Sequence, residues 1–298
     1  MTRPRKVMAT TRADLLYRRA ARRNKAFWEK SSVSYERTHA RALKKYGGMA
    51  WGFWRVPERR LRLLGDVRGK KILELGCGAA RWSLALSRMR AIAVGIDTSW
   101  MQLRHALRVL GKDRARVSLL RASAETLPFK DGTFDIAFCD FGALTFADPE
   151  RAIPEASRVL RRGGRLVFAQ SSPIRSLFEV ETDETMSSKL QRDYFSLGWL
   201  RFPETTERAL TYSAWIHLFR ESGLVVEELL ETRPGPGDRS SYLNPREERW
   251  ARRWPLECLW SLRKGSSSPP SHAASPAHPE FRRRRRELEP TTRQGGQY

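Results

Sequence analysis

Between residues 70 and 170, short apolar runs alternate without a break with stretches of helical spacing, which leaves the chain few architectures to fold into. The runs at 71–75, 91–96, 117–121, 134–139 and 165–169 are apolar in succession, not at every second position. Strands of that kind are buried on both faces, as in a parallel sheet covered by helices on each side. The segments 82–89, 100–110 and 149–160 carry helical spacing and supply those helices. After Ser172 the rhythm stops. Residues 173–211 are polar and mixed with no strand signal, and read as an insertion that lies over a site as a lid. A helix at 212–222, a strand at 224–230 and a helix at 245–254 follow. Leu256, Cys258, Trp260 and Leu262 then alternate with other residues, which reads as an edge strand with one wetter face. The expected fold is α/β, a doubly wound and mostly parallel sheet with an N-terminal helical cap and a lid-like insertion.

Three segments follow from this pattern: a basic arm and cap over 1–68, the sheet domain over 69–264, and a tail over 265–298. The formal charge is +23, and +14 of it lies in residues 1–68. A basic arm can contact nucleic acid or anionic lipid, although an Arg-rich helix surface in water has the same composition. Leu15, Leu16, Ala20, Phe27 and Trp28 fall on one helical face, which favours a docked helix over an organellar transit peptide. Trp51, Phe53 and Trp54 read as further apolar anchors of a helical cap. The tail is rich in Ser, Pro and Ala before the run Arg282–Arg286, and is expected to be disordered. Cys77, Cys139 and Cys258 include no C-x-x-C pair, which argues against a disulfide framework or a zinc site and for a reducing, cytoplasmic compartment. No apolar run reaches 18 residues, so no membrane-spanning helix is expected. No metal site is expected, and the oligomeric state is not legible.

The first strand runs into Gly76-Cys77-Gly78. A strand–Gly-x-Gly–helix turn lets backbone approach a ligand closely. Asp97 closes the next strand, where a carboxylate can hold the hydroxyls of a ribose, as in Rossmann-like domains. Two details depart from dinucleotide binding. Arg81 occupies the place of the third glycine of G-x-G-x-x-G, and Glu74 precedes the turn, where an acid suits a cationic ligand better than a pyrophosphate.

With Glu74-Leu75-Gly76-Cys77-Gly78, Gly95-Ile96-Asp97, Ser123-Ala124-Glu125 followed by Leu127-Pro128-Phe129, and Arg158 to Leu166 around Gly163-Gly164, four motifs stand in order. Residues 70–170 resemble the class I S-adenosylmethionine (SAM)-dependent methyltransferases, in the branch of ubiquinone and menaquinone biosynthesis. The resemblance implies SAM as cofactor, bound by Glu74, Gly76, Cys77, Gly78, Ala80, Asp97, Thr98, Ser123, Ala124, Glu125 and Asp140. Ala80 stands where the family has a third glycine, and Ser123 where it has Asp. It further implies methyl transfer to a small molecule. The candidate bases are Asp140 and His217, and Trp54 and Phe141 are candidate pocket walls. Two alternatives are a nucleic-acid methyltransferase recruited by the basic termini and a non-catalytic SAM-binding protein. Against the first, Asp140-Phe141-Gly142-Ala143 stands where base-amine enzymes carry an Asn/Asp-Pro-Pro-aromatic turn.

Overall fold

The structure is a computed structural model that describes residues 12–183 and 185–266. The run Arg282–Arg286 and the tail expectation lie outside the described residues. A helix α1 (Arg12–Lys44) opens the fold. The central unit follows as β1 (Lys71–Leu75), α2 (Arg81–Arg88), β2 (Ile92–Asp97), α3 (Trp100–Leu110), β3 (Val117–Arg121), β4 (Phe134–Asp140), α4 (Pro149–Val159) and β5 (Leu160–Ser171). Then come α5 (Pro173–Phe178), α6 (Tyr212–Glu221), β6 (Leu224–Glu231), α7 (Pro245–Ala251) and β7 (Glu257–Lys264). The seven strands form one sheet in the order β6-β7-β5-β4-β1-β2-β3. All pairings from β5 to β3 are parallel, and β7 runs antiparallel to both β5 and β6.

The apolar runs cover two cores because successive side chains leave a strand on opposite faces. Leu73, Cys139, Phe168 and Trp260 pack on one face beneath Trp215 and Phe219 of α6 and Ile153 and Ala156 of α4. Ile72, Phe138, Val167 and Leu259 pack on the other against Trp51, Trp82 and Leu86. Both faces are therefore dry, as the unbroken apolar runs require.

Four expectations are corrected. The run 256–262 is not an edge strand: β7 is interior, and Glu257 to Leu262 are all buried. The polar positions of the alternation are Glu257 and Ser261, and both are accommodated inside. The sheet edge on that side is β6, with Val225 60% exposed. Trp51, Phe53 and Trp54 lie not in a helix but in and around a hairpin, where Ala50–Trp51 pairs with Val56–Pro57. Leu15 and Leu16 are exposed while Ala20 is buried, so the apolar face of α1 starts later than the sequence suggests. The insertion 173–211 does hold strands: Trp199–Arg201 pairs with Thr206–Arg208.

Asn24 joins that hairpin to α1. It is buried, accepts from Thr206 N at 2.8 Å, and donates to Thr206 O at 2.7 Å and Phe146 O at 2.8 Å. A buried amide with its partners in place fixes the relative position of the segments it bridges. Helix and hairpin thus form one cover over the carboxyl ends of β1, β2 and β4.

Candidate active site

The turn after β1 is set by two chain segments crossing. Gly76 has φ +72°, and a Cβ there would lie 2.2 Å from Ala143 N. Gly142, in the turn after β4, has the reciprocal constraint: a Cβ would lie 2.6 Å from Gly76 O. Gly78, at φ +50°, is different, because its Cβ would meet nothing nearer than Gln102 Oε1 at 3.7 Å. The first glycine is required by packing, whereas the second leaves a cradle open to a ligand.

Asp97 faces that cradle. It accepts from Gly78 N at 3.0 Å and Ser99 N at 2.8 Å. Burial outweighs these bonds and raises its pKa to about 6. Glu74 accepts from Ser83 N at 3.0 Å and from the Ser83 hydroxyl, so it caps the N-terminus of α2. Its burial raises its pKa to about 8, against the lowering by Ser83. Gln102 Oε1 is buried near Gly78 without a hydrogen-bond partner among the described residues. Two acids and an orphaned carbonyl around an open glycine suit a ligand that brings hydroxyls and positive charge.

A cavity of about 920 Å³ joins this cradle to an aromatic chamber. Of the predicted residues, Glu74, Gly76, Cys77, Gly78, Asp97, Thr98, Ser123, Ala124, Glu125, Asp140 and Phe141 all line it. Three predicted residues do not. Ala80 is buried behind the turn with Cys77 and Leu103, in a left-handed conformation at φ +53°. Trp54 packs against Ala251 and Leu256 instead of walling the chamber. His217 sits on the outer face of α6, with its side chain 71% exposed and Nε2 3.0 Å from Glu221. The apolar spacing around it did not reveal which way that helix face turns.

Helix α1 contributes groups that sequence reading missed. Its Glu29 caps α3, accepting from Trp100 N and Met101 N at 3.0 Å each and from Ser99 Oγ at 3.2 Å. Those amide bonds hold its pKa down against the cost of burial. Glu36 pairs with Arg81 at 2.8 Å. Tyr17 donates to Glu125 Oε2 at 2.7 Å, and Ser123 Oγ to the same oxygen at 3.0 Å, so the loop after β3 is tied to the cover. A helix with inward acids three to seven residues apart, as Glu29 and Glu36 are, was the available signal.

The chamber floor is an ion pair. Asp140 Oδ2 accepts from Arg55 Nη1 at 2.9 Å and Oδ1 from Gly52 N at 2.8 Å. Both side chains are 9% exposed. Beside them Glu257 accepts from Phe53 N at 2.6 Å and from the Thr232 hydroxyl, and burial raises its pKa to about 7. Two carboxylates thereby clamp the loop of Gly52, Phe53 and Arg55. Phe53 meets Phe141 edge-on at 4.5 Å and Tyr242 at 5.8 Å, and His39 stacks on Tyr242 at 4.2 Å. Arg55 and Phe141, both lining this chamber, are held at φ +50° and +49°.

Residues 73–168 match the family described as a methyltransferase domain. The chain is 34% identical over 147 residues to the demethylmenaquinone methyltransferase of Clavibacter sepedonicus, covering 49% of this chain and 57% of that protein. It is 38% identical over 122 residues to the ubiquinone/menaquinone biosynthesis C-methyltransferase of Syntrophotalea carbinolica, covering 40% and 50%. The alignments thus span about half the length of these two relatives. Among solved structures, a SAM-dependent methyltransferase from Mesorhizobium loti superposes with a TM-score of 0.57 at 22% identity, covering 69% of this chain and 96% of that one. The [4+2]-cyclase SpnF superposes at 0.55 and 19%, covering 83% and 98%. A methyltransferase and a cyclase on one architecture show that these superpositions speak for the fold alone. The family match and the strand order together identify residues 73–168 as a methyltransferase domain on a Rossmann-like sheet.

Proposed function

We propose that this chain transfers the methyl group of SAM to a small-molecule acceptor. The observation that carries the reading is one continuous cavity, with the Asp97–Gly78 cradle at one end and the aromatic chamber beyond Asp140 at the other. Asp97 would hold the ribose hydroxyls. Gly76, Cys77, Gly78 and Glu74 would face the amino-acid end, and Thr98, Ser123, Ala124 and Glu125 the adenine side. SAM, when bound, supplies a methyl group already activated for in-line displacement.

The chain's own work is then alignment and exclusion of water. Holding both reactants in one closed space can supply roughly 7–11 kcal/mol of the barrier. Helix α1 and the hairpin 199–208 supply the roof, and the Gly76–Gly142 crossing sets the floor between the two ends. Asp140 has both oxygens engaged by Arg55 and Gly52, so its part in the reaction is to fix Arg55 and the chamber wall, and His217 lies outside the cavity. The relatives' names point to ring systems of the quinone type, and the aromatic walls accept a flat ring.

Among the described residues no helix is long and apolar enough to cross a membrane. Cys77, Cys139 and Cys258 are buried and unpaired, in keeping with a cytoplasmic setting. Among the described residues, Arg18, Arg19, Arg22, Arg37 and Arg41 are exposed along α1, a feature that favours the nucleic-acid reading.

The test is transfer of labelled methyl from SAM to extracted metabolites and to total RNA, in parallel and across ionic strength. Label in a small molecule, with weak salt dependence, is the expected result. Label in RNA that is lost steeply with salt would replace this reading by the nucleic-acid one, since each phosphate contact releases counterions.

A further inference from the structure

We propose that Arg55, aided by Arg175, holds a neutral oxygen of the methyl acceptor, a carbonyl or hydroxyl on a flat ring, and thereby selects against amine acceptors. The inference rests on the methyl-transfer reading and adds the acceptor's chemistry to it.

Arg55 is 8% exposed, lines the cavity and stands at φ +50°. A non-glycine residue held there costs about 1–3 kcal/mol and persists only where its surroundings impose it. Here the imposition is visible. Gly52 N and Arg55 Nη1 both reach Asp140, and Phe53 N reaches Glu257. Only Nη1 of the guanidinium is bonded, to Asp140, and neither Nη2 nor the shielded Nε has a partner among the described residues. A buried N–H left unpaired is costly unless a ligand supplies the acceptor.

Arg175 lines the same cavity and stands beside Phe53. Its guanidinium stands 5.2 Å from the Phe53 ring centre. It donates to Ser171 Oγ at 2.8 Å and to Glu179, and its Nε is likewise unpartnered among the described residues. Each cation is matched by its own carboxylate, Asp140 or Glu179. The subsite therefore presents N–H donors without an excess of positive charge. An oxygen lone pair fits that environment. An aromatic amine offers donors to donors. Phe53, Phe141 and Tyr242 line the same cavity and offer apolar faces to a flat ring beside the donors.

The experiment is calorimetric binding of three isosteric probes to the full chain saturated with S-adenosylhomocysteine: 2-naphthol, 2-naphthylamine and 2-methylnaphthalene. The native protein is expected to bind the naphthol about tenfold or more tightly than the other two, the usual margin for a hydrogen bond to a charged donor. In Arg55→Lys the ammonium is taken up by Asp140, and the preference is expected to fall below about threefold. Arg55→Met removes the donor altogether and is expected to do the same; if leaving Asp140 unpaired prevents that variant from folding, Arg55→Lys decides. Equal binding of all three probes to native protein, no probe binding, or a preference that survives in Arg55→Lys overturns the inference. S-adenosylhomocysteine is measured first on each protein. Its failure to bind native chain removes the methyl-transfer reading itself, whereas its binding alongside unselective probe binding removes only the role of Arg55.

Discussion

Cofactor affinity should depend on pH through Asp97, and the structure sets the size of the effect. In the ligand-free protein its pKa is raised from 3.8 to about 6 because burial outweighs the two amide hydrogen bonds it accepts. Ribose hydroxyls donate to the ionised carboxylate, so binding draws the group to its charged form and releases a proton wherever it starts protonated. With a pKa of about 6, about one tenth of the protein is ionised at pH 5 and about nine tenths at pH 7. The dissociation constant of S-adenosylhomocysteine should therefore fall about tenfold from pH 5 to pH 7, about 1.4 kcal/mol. It should change little more through this group above pH 7. Calorimetry in two buffers of different ionisation enthalpy should show nearly one proton released through Asp97 at pH 5 and about a tenth of one at pH 7. Asp97→Asn should bind more weakly at pH 7 and lose this part of the slope, which separates Asp97 from Glu74 and Glu257, whose pKa values lie higher. The same pH slope in Asp97→Asn, or net proton uptake on binding, would refute the reasoning.

Glu74, Asp97 and Glu257 all have pKa values raised by burial above their unfolded values, so their stabilising effect is complete below the ordinary carboxylate range and is lost as pH rises through about 6 to 8. The ligand-free protein should melt at progressively lower temperature across that window, and Glu257→Gln should flatten part of the decline. Gly76→Ala should destabilise by about 3 kcal/mol or more, since left-handed φ costs about 1–2 kcal/mol and the Cβ must also displace the Ala143 backbone. Gly78→Ala should cost only the conformational part and still fold, with weaker S-adenosylhomocysteine binding; urea titration and calorimetry distinguish the two variants. Asn24→Ala removes three hydrogen bonds between α1, Phe146 and the hairpin, and should lose about 2–4 kcal/mol, read as faster amide exchange at Thr206.

What the sequence determined by itself is local. The run 72–78 encodes a strand, a glycine turn and the approach to a helix within seven residues, and Asp97 closes the next strand of the same repeat. Those parts of the site follow from short-range geometry, because backbone conformation and strand alternation are settled by neighbours a few positions away. The doubly covered sheet was legible for a similar reason: unbroken apolar runs can be satisfied only with both faces buried.

The acceptor chamber was not legible. Arg55 meets Asp140 across 85 positions, and Phe53 N meets Glu257 across 204. Nothing near Arg55 in sequence distinguishes it from the other arginines of a strongly basic arm; only burial beside two carboxylates does. Trp54 and Phe53 are adjacent and equally apolar, yet Trp54 is buried among Ala251 and Leu256 while Phe53, at the edge of that cluster, also walls the cavity. In β7, the alternation of large apolar residues with Glu257 and Ser261 has the form of a half-wet strand. Only the tertiary structure, by laying β6 along one side of it and β5 along the other and bringing Thr232 and Phe53 to Glu257, made that position interior and turned a surface-type residue into part of the site's foundation.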